Sequence, residues 1–305
     1  MTRRPITLLV NPEAGGKPGS GPGLDEDAER LRPQALELAV RKRGLEARLH
    51  LLAEDDDAGQ LARAAADEGN DVVVAGGDGT VSRVAAALIH HPEATLGILA
   101  MGSFNNIARG FGIPVTLDEA FDVIGAGRTS QMDAGWVVGD GDGGRAFFEA
   151  AGVGLEAIGF LALEVAERRG WWRAVRALVR GIRLRKTPMR ITLDGTAYRT
   201  GSPAVTVSNG PYHGPGFVVS PQADPTDGLF DVAVFVGMVR LEVIGYFLAV
   251  ARRQPRREPR IRQHRAKRVT IEGTRRALPA HADGVSIGVT PVTFEVHHAA
   301  LRVFR

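Results

Sequence analysis

The chain has 305 residues, 44% of them hydrophobic and 24% charged, the make-up of an ordinary soluble protein and the length for two domains. Zero cysteines exclude disulfides, cysteine–zinc sites and thiol catalysis, and agree with a reducing cytoplasm. The net charge is only +3, but acids cluster in the first third and arginines crowd residues 168–186 and 252–268. Such runs belong to solvated helix faces or to surfaces that meet anionic membranes or nucleic acid.

Met1-Thr2-Arg3-Arg4-Pro5 and the short apolar run after it are too brief for a signal peptide. No run of about 18 apolar residues predicts a membrane span. Residues 6–10 read as a strand, with Asn11-Pro12-Glu13-Ala14-Gly15-Gly16 as the loop at its end. Residues 15–23 are a Gly/Pro-rich flexible loop; Gly16-Lys17-Pro18 lacks the Ser/Thr and the spacing of a P-loop, so no nucleotide site of that type is expected. Residues 25–43 predict a helix, 45–52 a strand and 58–68 an Ala-rich helix.

Asp71-Val72-Val73-Val74-Ala75 reads as a short buried strand ended by Gly76-Gly77-Asp78-Gly79-Thr80. Val81, Val84, Ala85 and Leu88 then recur at helical spacing. The turn therefore lies between a strand end and a helix start, where free N–H groups and the helix dipole favour an anion. Its glycines are expected to let the backbone approach a phosphate and to take up positive φ. Asp78 is unusual there, because a carboxylate repels phosphate unless a cation lies between them. A nucleotide phosphate carrying Mg²⁺ resolves that conflict. The competing reading is a plain strand–helix turn with Thr80 as N-cap.

Residues 96–100 predict the next strand, ending in Met101-Gly102-Ser103-Phe104-Asn105-Asn106; helices follow through Arg109 and over 118–124. Strands alternating with helices argue for a parallel sheet covered on both faces, with ligands at the carboxyl ends of its strands. The loops at Asn11, Gly76 and Gly102 all fall at such ends. Beyond residue 128 the pattern becomes short strands at 136–138, 145–153, 189–193, 204–208, 217–220 and 229–236, separated by Gly, Pro and Asp-Gly turns. Helical patterns interrupt at 155–168, 171–184 and 241–253. The chain thus divides into an α/β domain over 1–127 and a mainly β domain, a sandwich, over 128–299. The last strand, at about 300–305, is able to return to the first domain.

Asn11-Pro12, Gly76-Gly77-Asp78-Gly79-Thr80, Gly102-Ser103-Phe104-Asn105-Asn106-Ile107-Ala108-Arg109, Asp227-Gly228-Leu229-Phe230-Asp231 and Asp283-Gly284 occur in that order. Over nearly its whole length the chain resembles the bacterial diacylglycerol kinase family of soluble lipid kinases, relatives of sphingosine and ceramide kinases. The resemblance implies an N-terminal nucleotide-binding α/β domain, a C-terminal β-sandwich and an inter-domain cleft, with transfer of the ATP γ-phosphoryl group to a lipid hydroxyl. It assigns nucleotide binding to Asn11, Gly76, Gly77, Asp78, Gly79, Thr80, Val81 and Ser82, with Ser103 and Asn105 nearby. Asp78 would act through Mg²⁺. Some members also hold a structural Mg²⁺ before Asp-Gly-Leu-Phe-Asp, and the matching positions are Asp224, Asp227 and the Leu229 carbonyl.

The chain departs from the family at two places. Many members have Asn-Asp where Asn105-Asn106 stands, and Asp-Gly-Glu where Asp283-Gly284-Val285 stands. Asp283 is then the expected general base for the lipid hydroxyl, with His281 as a substitute. Trp171-Trp172 among Arg168, Arg169, Arg173, Arg176 and Arg180 suits a bilayer interface, although a core could claim the same helix. The expected setting is cytoplasmic, peripheral at the inner membrane face, with lipid and nucleotide as partners and a homodimer left open. Nucleic acid is not expected, since the arginine clusters are not interleaved with several exposed aromatics and no known binding module appears. An NAD kinase and a nucleotide- or lipid-binding regulator with weakened catalysis are the alternative readings.

Overall fold

The computed structural model describes residues 4–14, 33–138, 144–155, 187–214, 216–251 and 258–305. The loop expected at 15–23, the first part of the helix expected from 25, and the Trp171-Trp172 helix lie outside these residues. The chain divides into two compact units, Met1–Met132 with Ala299–Arg305, and Asp133–His298.

In the first unit, β1 (Ile6–Val10), β3 (Asp71–Gly76) and β4 (Thr95–Ala100) are largely apolar runs with every residue buried. Such runs suit a parallel sheet covered on both faces. With β2 (Ala47–Leu51) they pair in the order β2-β1-β3-β4, all parallel. The end of β18 (Val292–Phe304) joins β4 in parallel, Arg302 beside Thr95 and Val303 beside Leu96. Leu8, Val10, Val73, Ala75 and Leu99 share one core with Leu36 and Val40 of α1 (Pro33–Lys42) and with Ala120, Phe121 and Ile124 of α5 (Leu117–Ala126). The alternate residues Leu9, Val72, Val74 and Ile98 face the other way, where α2 (Ala58–Asp67) and α3 (Asp78–Leu88) pack on β3 and on each other. Each fully buried Val or Leu here contributes roughly 1.5–3 kcal/mol. The Asp57 carboxylate caps α2 by accepting from Gly59 N at 2.8 Å and Gln60 N at 3.1 Å.

The second unit is antiparallel. Its six-stranded sheet runs β14 (Ile261–Ala266), β13 (Phe230–Phe235), β10 (Ala204–Ser208), β7 (Ala150–Gly154), β16 (Pro279–Ala282), β17 (Val285–Val289). The strands β8 (Thr187–Leu193), β9 (Thr196–Ser202), β15 (Arg268–Gly273) and the first part of β18 form the opposing layer, with β5 (Thr129–Val138) and β6 (Arg145–Phe147). One core joins Val153, Val207 and Val232 of one layer to Met189, Ile271 and Phe294 of the other, which makes the unit a sandwich. At its centre Phe147 stacks on Phe230 at 5.5 Å and meets Phe294 edge-on at 5.9 Å.

Two local differences from the expected pattern have physical causes. The single strand expected over 145–153 breaks between β6 and β7, because the N–H groups of Phe148, Glu149 and Ala150 turn to the Asp283 carboxylate. Within the arginine-rich stretch, Ile261–Ala266 is a strand paired to β13 throughout its length.

Candidate active site

The start of α3 is built differently from the sequence expectation. Gly77, not Thr80, is the N-cap, and its extended φ of −84° and ψ of 174° would suit any residue. None of Gly76, Gly77 and Gly79 has a positive φ. What requires glycine is a backbone contact: a Cβ on Gly102 would lie 2.6 Å from the Gly77 Cα. The loop after β3 and the loop after β4 therefore touch main chain to main chain. Gly79 differs again, since a Cβ there would meet nothing within 4 Å, so this side of the helix start is open.

Neighbouring loops hold this turn. Thr80 is 4% exposed, and its Oγ1 accepts from Asn11 Nδ2 at 3.0 Å. Asn11 N donates to Ala75 O and Met101 N to Gly76 O, each at 2.9 Å, so the three strand ends are laced together just beneath the turn. Asn105 caps α4 (Asn106–Gly110) in the left-handed region at φ 52°, and its Oδ1 accepts from Gly102 N at 2.7 Å. Asp78 Oδ1 accepts from Ile107 N at 3.1 Å, joining the starts of α3 and α4. Asn106 is buried, Ser103 is exposed and Phe104 is 45% exposed. Val81 is 2% exposed and can offer a ligand only its main chain; Ser82 is half-buried beside it.

All ten proposed nucleotide positions thus lie on the β1, β3 and β4 ends of one sheet. The N–H groups of Asp78 and Gly79 precede the intrahelical ladder and are available to an anion. Mg²⁺ on a nucleotide needs only one or two protein carboxylates besides phosphate and water. Asp78, with Oδ1 engaged by one N–H, meets that requirement through its other oxygen.

In the second unit, Asp283 sits in the left-handed region at φ 45° between β16 and β17. Its Oδ2 accepts from Phe148 N at 2.8 Å, and its Oδ1 from Glu149 N at 2.9 Å and Ala150 N at 3.2 Å. Val285, at the position where the family has glutamate, is 43% exposed. His281 departs from expectation: it is 1% exposed inside β16, and burial, with a smaller contribution from His213, pushes it down to about 3. A buried ring of so little proton affinity is a poor substitute base.

The expected metal ligands Asp224, Asp227 and Leu229 lie on one turn, where both carboxylates are engaged by protein groups. Asp224 Oδ1 accepts from Thr226 N at 3.0 Å and from Thr226 Oγ1 at 2.6 Å. Asp227 Oδ1 accepts from Leu229 N at 3.0 Å, and Asp227 Oδ2 is ion-paired with Arg265 Nη2. Among the described residues no group of three acids or histidines is arranged to hold a metal ion. The same turn shows a residue that sequence reading passed over. Asp133, 1% exposed, accepts from Gly228 N at 2.7 Å through Oδ2 and faces His298 Nδ1 at 2.8 Å through Oδ1. A Cβ on Gly228, whose φ is 74°, would press on that imidazole at 3.0 Å. The available signal was an acid placed inside an otherwise buried strand pattern.

Comparison with known proteins agrees with this geometry. Residues 5–137 match the diacylglycerol kinase catalytic domain, and residues 164–305 the YegS C-terminal NAD kinase beta sandwich-like domain. The diacylglycerol kinase of Mycobacterium tuberculosis (strain H37Rv) is 30% identical over 257 residues, covering 82% of this chain and 81% of that one. That of Staphylococcus carnosus is 25% identical over 301 residues, covering 96% and 92%. The crystal structure of a diacylglycerol kinase from Bacillus anthracis has the same fold, with a TM-score of 0.73 at 23% identity over 100% of this chain and 97% of that one. The fold and the loops define a phosphotransferase of the two-domain lipid kinase class. The chain belongs to the bacterial diacylglycerol kinase family. Likeness to lipid kinases across both parts displaces the NAD kinase reading.

Proposed function

We propose that the protein transfers the γ-phosphoryl group of ATP to a hydroxyl of a membrane lipid, diacylglycerol-like or sphingoid. The observation that carries this reading is the open helix start at Asp78 and Gly79, laced to Asn11 and Gly102 and free of side chains on the Gly79 face. Mg²⁺, when bound with the nucleotide, supplies charge neutralisation at the phosphates. The chain's own contribution is positioning and fixed charge, which is most of what phosphoryl transfer asks of a protein. The N–H groups of Asp78 and Gly79 orient the phosphates, and the Asp78 carboxylate keeps the cation on that side.

The lipid hydroxyl oxygen attacks the γ-phosphorus while the bond to the β-phosphate's bridging oxygen breaks, and ADP leaves. The hydroxyl proton passes to the Asp283 carboxylate, a contribution of typically 10²–10⁴-fold for a general base. No helix among the described residues is long and apolar enough to cross a membrane, so the acceptor has to be met at a bilayer surface. The test is radiolabelled ATP against vesicles containing in turn diacylglycerol, a sphingoid base, ceramide, a polyprenol or phosphatidylglycerol, read by thin-layer chromatography. Label on one of these lipids is expected. Calorimetric binding of Mg-ATP with no label on any lipid would overturn the proposal in favour of a regulator.

A further inference from the structure

The Asp224-to-Asp231 turn carries three carboxylates, and a side chain from the neighbouring strand already answers their charge. Arg265 lies directly opposite Asp231 in the β13–β14 register. Its Nη2 pairs with Asp227 Oδ2, and its Nε lies 3.7 Å from Asp231 Oδ2. Asp231 is 8% exposed. A buried acid of this kind needs a cation. The carboxylates of the turn already have protein donors: Asp224 Oδ1 accepts from Thr226, Asp227 Oδ1 from Leu229 N, and Asp227 Oδ2 from Arg265.

We propose that in this protein the Arg265 guanidinium takes the place of a structural divalent cation at the Asp224–Asp231 turn, which is consequently independent of metal. The register explains why this works. Position 265 is fixed across from Asp231 by two-strand pairing, so the cation is supplied by the fold itself and does not have to be recruited from solution. A guanidinium offers five N–H donors in a rigid fork, enough to reach two carboxylates at once. The Asp133 carboxylate holds the other side of the turn through Gly228 N, so the loop is fastened at both ends by the protein.

The experiment is thermal melting of the full, nucleotide-free chain in EDTA and in millimolar Mg²⁺ or Ca²⁺. Wild type is expected to melt at the same temperature in all three. Arg265→Gln is expected to melt about 2–4 °C lower in EDTA and to recover in part with a divalent ion, because the turn then has free carboxylates. A wild-type rise in Tm with divalent ion that Asp227→Asn abolishes would overturn the proposal, as would an Arg265→Gln variant as stable as wild type in EDTA. A rise abolished by Asp78→Asn instead belongs to the start of α3 and leaves the turn metal-free, as proposed. Should Arg265→Gln fail to fold, Arg265→Lys keeps one charge without the fork and is read in the same way, with an intermediate Tm expected.

Discussion

Asn11 at the end of β1 and Thr80 in the first turn of α3 are 69 residues apart and meet through one hydrogen bond of 3.0 Å, Nδ2 to Oγ1. The bond ties the loop after the first strand to the helix start at the centre of the site. Asn11→Ala and Thr80→Val are each expected to cost about 1 kcal/mol of stability and several-fold in ATP affinity. A double-mutant cycle in urea should return a coupling of about 1 kcal/mol. Additive effects would show that the two loops do not support each other.

Two glycine substitutions a short distance apart should act in opposite senses. Gly102→Ala places a methyl 2.6 Å from the Gly77 Cα, and overpacking of that kind costs about 1–3 kcal/mol. Gly79→Ala adds a Cβ with nothing within 4 Å and should leave the fold as stable or about 0.4–1 kcal/mol more so. If phosphates dock at Gly79, that variant loses nucleotide affinity while keeping its melting temperature. Unchanged Mg-ATP binding by calorimetry would move the phosphates elsewhere.

Asp78→Asn retains an oxygen able to accept from Ile107 N, so stability should be nearly unaffected. With Asn106 where relatives carry an acid, Asp78 is the carboxylate expected to hold the nucleotide's cation, and kcat should fall by about 10² or more. Near-normal kcat at saturating Mg²⁺ would refute this role.

Asp283→Asn sets an amide donor against one of three backbone N–H donors. It should cost about 1–3 kcal/mol of stability and, if this carboxylate accepts the lipid's proton, about 10²–10⁴ in kcat. A folded variant with unchanged kcat and a lowered Tm would leave Asp283 as an anchor for the β6–β7 break alone.

His213 and His281 are buried to 2% and 1% exposure, and burial pushes them down to about 4 and about 3. The unfolded chain takes up protons on both below about pH 6.5, while the folded chain does so only near the lowered values. The unfolded state therefore binds more protons across this window, and stability falls as pH drops through it, with a limiting slope of roughly 2.7 kcal/mol per pH unit for two sites. Urea midpoints between about pH 7 and pH 5 should show the fall, and ¹³C shifts of the two rings should stay at their neutral values. A titration near the ordinary histidine range for either ring would contradict this.

The first unit was readable because β1, β3 and β4 are covered on both faces and so appear as plain apolar runs. The strand-end loops followed from that. Ile261–Ala266 was hidden because Arg262, Gln263 and Arg265 are exposed on both its faces, so the stretch looked like a solvated basic run. Asp133 showed locally only as an acid within a buried strand and Arg265 not at all, since their partners at 228, 298, 227 and 231 are supplied by chain folding over long separations or across strands. The glycines of the central turn were visible, but their reason was not: it lies in Gly102, on another loop.

That contact between Gly77 and Gly102 has a consequence for how such a protein can diversify. The spacing of the two loops is set by main chain against main chain, a dimension that side-chain replacement can only disrupt and never adjust. An exposed neighbour such as Phe104, on the same loop as Gly102, can by contrast change its side chain without moving that frame.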